Sequence, residues 1–274
     1  MRINFELVKT IAFVCIKRFD GKMSPKGTAF FLGHLDRKSA TLKMYAVTAK
    51  HVIDAIRENT LADTVYLTYN GENGKEETAI PLSEWHFHPG DSTENVDVAI
   101  ARFEYKTPEI VGPRFANPRH VKCWMTESLI NVSAAKNSGI GLGQEVSLAG
   151  LFVHHQGSTR NIPIVRSGSI AAMPGEKVST QIGPITAYLL EVRSIGGLSR
   201  SPVFTESSGN LLLIGLVHGH FDQRTGDLDA CETDGDSPIQ PERINAGIAI
   251  VVPADRIRET LRPLTDADFH SIKT

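Results

Sequence analysis

Three polar side chains carry the chemistry this sequence offers, and each is picked out by its local context. The segment at 196–204, GGLSRSPVF, sets Ser199 just after two glycines and just before an apolar strand start. Glycine reaches backbone angles closed to other residues, so successive N–H groups there can converge. The N–H groups of Gly197 and Ser199 could then hold a developing oxyanion beside the Ser199 hydroxyl. A serine hydroxyl is a weak nucleophile near neutral pH and needs a base. Among 10 histidines, His51 has the most telling setting: the strand-like YAVTA ends, one lysine follows, and His51 opens a short helical turn. A side chain at such a corner points out of a strand end into a cleft. Asp97 heads the run VDVAIARF among Val96, Val98, Ala99 and Ile100, so it is expected to be partly buried. A buried carboxylate requires a hydrogen-bonding partner, and an imidazole N–H serves. Together the three residues can carry out nucleophilic acyl transfer.

The elements that must position them are strands. TIAFVCI, GTAFFLG, LKMYAVTA, DTVYLTY, VDVAIARF, QEVSLAGLFV, YLLEVR, LLLIGLVHG and AGIAIVV are short apolar runs bounded by Gly, Asp, Asn or Pro. Helical periodicity is confined to HVIDAIREN (51–59) and PADRIRETLRPL, where Pro253 stands at a helix start. The expected class is all-β, sandwich or barrel, closed by a terminal helix. The proline-rich 106–123 and the small-residue VSAAKNSGIGLG read as a connection between two β units of similar size. The polar, acidic 222–245 reads as a long surface loop.

Composition bounds the partners. In 274 residues, 29 Lys and Arg against 31 Asp and Glu leave no basic excess for capturing nucleic acid or an anionic membrane. The three cysteines, Cys15, Cys123 and Cys231, are odd in number and widely spaced, which excludes a disulfide framework using them all and a zinc knuckle. The N-terminal apolar run is too short for a signal peptide, and no window reaches the length of a membrane span. A reducing cytoplasm is the expected location. The histidine pairs 86/88, 154/155 and 218/220 have the right residue type for metal ligation, but lack Cys or carboxylate at ligand spacing. No metal or other cofactor is expected.

The order His51, Asp97, Ser199 along the chain is that of the chymotrypsin arrangement of the triad. On these pieces the sequence resembles the trypsin-like serine peptidases, more the bacterial, intracellular-style relatives than the secreted digestive enzymes. GTAFFLG is similar to the family's GTGFFV strand, YAVTAKHV to its LTAAHV, VDVAIARF to its DVAVL strand, and GGLSRSPVF to GNSGSPVF. AGIAIVVPADRI resembles the family's last strand and helix. The resemblance implies two six-stranded antiparallel β-barrels with the site between them: an N-terminal barrel at 1–115 carrying His51 and Asp97, a linker at 116–143, a second barrel at 144–252 carrying Ser199, and a helix and tail at 253–274. It implies peptide-bond hydrolysis through an acyl-enzyme, with Gly197 and Ser199 as the oxyanion hole and a protein or peptide as substrate. A regulatory partner protein is compatible with it.

Two departures from the family pattern stand out. Arg200 occupies the position after the nucleophile that is usually glycine; it either crowds the site, leaving a catalytically silent domain that binds peptide or partner protein, or lies along the cleft and draws acidic substrate. Leu198 replaces the aspartate of secreted zymogens, so activation by N-terminal clipping is not expected. The resemblance also implies a substrate pocket built from Arg193, Val217, His218 and Gly219, with an acidic P1 side chain drawn by Arg193. His218 could in addition border the triad and bond to Asp97.

Overall fold

The computed structural model describes residues 5–36, 39–105, 121–152, 154–193, 198–224 and 243–270. The N-terminal half contributes β1 (Ile11–Lys17), β2 (Met23–Asp36), β3 (Thr41–Thr48), α1 (Lys50–Asn59), β4 (Thr64–Gly71), β5 (Gly74–Pro81), β6 (His86–Phe87), α2 (Asp91–Glu94) and β7 (Ala99–Phe103). The C-terminal half contributes β9 (Glu145–Gly150), β10 (Ile164–Ala172), β11 (Val178–Thr180), β12 (Gly183–Ile185), β13 (Tyr188–Glu191), β14 (Pro202–Ser207), β15 (Asn210–Arg224), β16 (Arg243–Pro253) and α4 (Ala254–His270). Between the halves lie β8 (Trp124–Met125) and α3 (Val132–Asn137).

The C-terminal strands close into a six-stranded barrel in the order β10-β13-β16-β15-β14-β9. Its interior is filled by alternate residues of these strands, among them Val146, Leu148, Ile170, Tyr188, Leu190, Val203, Ile214 and Val251, all buried. This matches the expectation for one of the two barrels. The N-terminal unit differs: it is an eight-stranded sheet running β5-β4-β1-β2-β3-β7-β6, with β8 added in parallel to β2, and no pairing among the described residues closes it. One edge, β5, alternates buried and exposed positions and carries Lys75, Glu76 and Glu77, the charged edge that discourages further pairing. The other edge, β6, is only two residues long. The core is continuous across the two units: Phe13, Phe31, Tyr69 and Phe103 of the first share a buried cluster with Leu151, Phe204, Leu216 and Ile257 of the second.

The described part of the connection carries regular structure. Of the connection, 106–120 lies outside the described residues, as does most of the acidic loop, at 225–242. Residues 132–137 form α3, started by Asn131, whose side-chain oxygen accepts the Ala134 N–H at 2.6 Å. The C-terminal helix is longer than expected, running through Pro263 to His270.

Polar contacts also join the two halves. Leu151 N–H donates to Thr28 Oγ1 at 2.9 Å. Asn70 and Asn161, both buried, bond reciprocally: Asn161 N–H donates to Asn70 Oδ1 at 2.7 Å, and Asn70 Nδ2 donates to the Asn161 carbonyl at 2.9 Å. No described helix is long and apolar enough to cross a membrane.

Candidate active site

Strand register brings the base and the acid together. In the β3–β7 pairing Thr48 lies opposite Ala99, so the chain leaving β3 and the chain entering β7 emerge at one end of the sheet. His51 sits in the first turn of α1, and Asp97 two residues before β7. The helix has no side-chain cap of its own at Ala49. Asp97 supplies one: its Oδ1 accepts the His51 backbone N–H at 2.9 Å, satisfying one of the donors a helix start leaves unpaired. Its Oδ2 lies 2.6 Å from His51 Nδ1. One carboxylate therefore fixes both the position of the helix and the ring it carries.

A second imidazole shares that oxygen, with His218 Nδ1 2.5 Å from Asp97 Oδ2. The pairing of β15 with β16 slips between Val217 and Gly219, a bulge centred on His218 that re-aims its side chain toward the other unit. Asp97 is 1% exposed. Burial pushes its pKa up, but the hydrogen bonds from His218 and then His51 outweigh this and hold the carboxyl well below the usual range. An ionised carboxylate only accepts, so both Nδ1 atoms carry the proton.

The serine loop lies across from them. Leu198 is fully buried in the barrel core, the Ser201 N–H donates to the Leu198 carbonyl at 3.1 Å, and Ser199 is half-buried in the turn between. Arg200 takes a left-handed φ of 78°, a conformation that suits glycine and costs another residue roughly 1–2 kcal/mol. It is anchored by its own N–H to the Val217 carbonyl at 2.6 Å. Its side chain crosses the cleft: Nη1 donates to the Lys26 carbonyl at 3.2 Å, and Nη2 meets His51 Nε2 at 2.7 Å. Arginine has no acceptor, so Nε2 of His51 accepts and its lone pair is engaged by a cation. Gly27 makes the crossing feasible, since a Cβ there would stand 2.9 Å from both Cδ and Nη1 of Arg200. Burial pushes the Arg200 pKa down to about 10, against the pull of Asp97, which leaves it charged at neutral pH.

His51 and Asp97 are thus brought together, and the chain beside Ser199 reaches them through the Arg200 side chain. Among the described residues, however, the partner of His51 Nε2 is the arginine next to Ser199 and not its hydroxyl. Gly197 lies outside the described residues. Of the pocket candidates, Arg193 is exposed just beyond β13, Val217 is fully buried in the barrel core and offers the site only main chain, and Gly219 borders open space. A cleft of about 250 Å³ flanks His51, lined by Lys50, Asp54, Asp91, Asn95, Asp97 and Ile182. The receptors of Arg200, Lys26 and Gly27, carried no signal in the sequence beyond a glycine ahead of an apolar strand.

His51, Asp97 and His218 offer three potential metal-ligand atoms within 4.8 Å of one another. Two ligands on a tetrahedral ion at about 2.0 Å would stand about 3.3 Å apart. The Nδ1–Oδ2 spacings of 2.6 and 2.5 Å are those of hydrogen bonds with a proton between the atoms. Of the histidine pairs, His88 is engaged by Glu259 and by the Gly90 N–H, and His154 and His155 are exposed.

No protein-family model matches the chain, and no curated protein matches it in sequence. Among solved structures it is similar to the protease domain of MamO from Magnetospirillum magneticum in its apo form, with a TM-score of 0.51 and 13% identity over 92% of this chain and 96% of that one. At that identity the likeness is one of fold alone.

Proposed function

We propose that the chain is a serine endopeptidase acting on protein or peptide substrates. Ser199 Oγ attacks the scissile carbonyl carbon while His51 Nε2 takes its proton. Asp97 holds the proton on Nδ1 and stabilises the imidazolium, and the N–H groups of Gly197 and Ser199 stabilise the oxyanion. His51 then gives the proton to the leaving amine, and water releases the acyl group from Ser199. The chemistry requires neither metal nor organic cofactor. The observation that carries this reading is the buried Asp97 bonded at once to the ring and to the backbone of His51. The two sheets would be the two halves of one catalytic module, at 1–115 and 144–252. Free Cys15, which is buried, and free Cys123, which is half-buried, fit a reducing cytoplasm.

A second reading has its own observation. The Arg200 contact to His51 Nε2 fits a silent domain that binds a peptide or partner protein. A fluorophosphonate probe separates the two, because only an activated serine reacts readily. Wild-type protein should be labelled at Ser199, mapped by mass spectrometry, and the Ser199→Ala variant should not. Wild-type protein and an Arg200→Gly variant that both stay unlabelled after prolonged exposure would refute the peptidase.

A further inference from the structure

The guanidinium of Arg200 is held as a cation in need of an anion. Its Nε is sealed from solvent without a partner, Nη1 has only a main-chain carbonyl, and Nη2 has only the neutral ring of His51. No carboxylate of the described residues lies within ion-pair distance of it. A planar fork of this kind binds a carboxylate through two parallel hydrogen bonds, roughly twice as strong as neutral ones. Its backbone is also held in a conformation costly for arginine, the kind of strain found at functional positions.

The position of the fork says which carboxylate. In acyl transfer His51 Nε2 delivers its proton to the leaving amine. A group bonded to Nε2, reaching from there to Lys26 on β2, occupies the side from which the amine departs. Taking the peptidase reading as its basis, we propose that Arg200 is a substrate-released latch. An acidic side chain on the residue just after the scissile bond draws the guanidinium off His51, freeing Nε2 to receive the Ser199 proton. The substrate class is then peptides with Asp or Glu at that position. The same residue blocks the base against other peptides.

The test is a peptide library degenerate on both sides of the scissile bond, with products sequenced by mass spectrometry, followed by a Glu peptide and its Gln counterpart taken from the hits. Wild type should cleave the Glu peptide about ten- to a hundredfold better in kcat/KM, the range expected for hydrogen bonds to a charged group. Arg200→Gly, whose backbone suits the left-handed angle, should cleave both equally, and the Gln peptide at least about tenfold faster than wild type does. Equal kcat/KM on the two peptides in wild type, or an acidic preference kept by Arg200→Gly, would overturn the latch while leaving the peptidase standing. If nothing is cleaved and Ser199 is not labelled, the peptidase reading fails instead. Binding to Ser199→Ala then decides on the anion seat, using synthetic peptides with Glu or Gln at their centre. At least tenfold tighter binding of the Glu form, lost in the Ser199→Ala/Arg200→Gly double variant, upholds it; equal binding overturns it.

Discussion

Replacing Asp97 with asparagine changes one atom and removes the feature on which the site rests. The carboxylate accepts three hydrogen bonds: the His51 backbone N–H and His51 Nδ1 and His218 Nδ1. An asparagine keeps one acceptor, and its NH₂ then faces ring nitrogens that also donate. To avoid the clash His51 must move its proton to Nε2, where it can no longer take one from Ser199. If the peptidase reading holds, kcat should fall by a factor on the order of 10⁴. Stability supplies a test independent of activity. Breaking a fully buried charged network costs about 3 kcal/mol, toward the low end for such pairs because one acceptor survives. For a chain of this size that lowers Tm by roughly 6–12 °C. The pH dependence follows. A carboxyl held below its ordinary value of 3.8 stabilises the fold above that pH and loses this contribution as pH falls below it. Wild type should therefore show a component of acid destabilisation below about pH 4 that Asp97→Asn lacks. Calorimetry from pH 3 to 7, with ¹⁵N imidazole spectra to report the tautomer, measures both. A Tm within 2 °C of wild type with the His51 proton still on Nδ1 would refute the reasoning.

Two further outcomes follow from the same contacts. Asn70→Ala removes both bonds to Asn161 and leaves buried main-chain groups at 161 unpaired, a cost of about 2–4 kcal/mol; urea denaturation should show it, together with faster proteolysis within 152–163. Burial pushes the thiols of Cys15 and Cys123 up to about 11. Both should resist alkylation at pH 8 until the protein unfolds, and the stability they contribute below pH 9 should fade as pH rises toward 11, read by mass spectrometry of alkylated peptides and by alkaline melts.

Local pattern was enough to locate β9, β13, β15 and β16 of the barrel and the helical turn after β3, because short β-branched and aromatic runs between turn residues bury themselves much the same way in any context. It also singled out His51 and Asp97, since a polar residue at the end of an apolar strand has few places to go. Strands without that apolar signature were harder to see: β5 is half charged, and α3 is built of small residues started by a single asparagine. Among the described residues no pairing closes the N-terminal sheet into a barrel, and edge pairing is a property of the assembled sheet.

The sequence by itself determined the mostly-β class, the chain order of the three polar residues and the presence of an arginine directly after Ser199. Tertiary structure decided what that arginine does. Whether it crowds the serine, lies free along the cleft or caps the base depends on a carbonyl at Lys26 and a missing side chain at Gly27, some 174 positions away along the chain. The second imidazole on Asp97 likewise arises from a bulge in β15, and a bulge depends on how two strands register against each other. Both are long-range contacts between surfaces that exist only once the two sheets have packed.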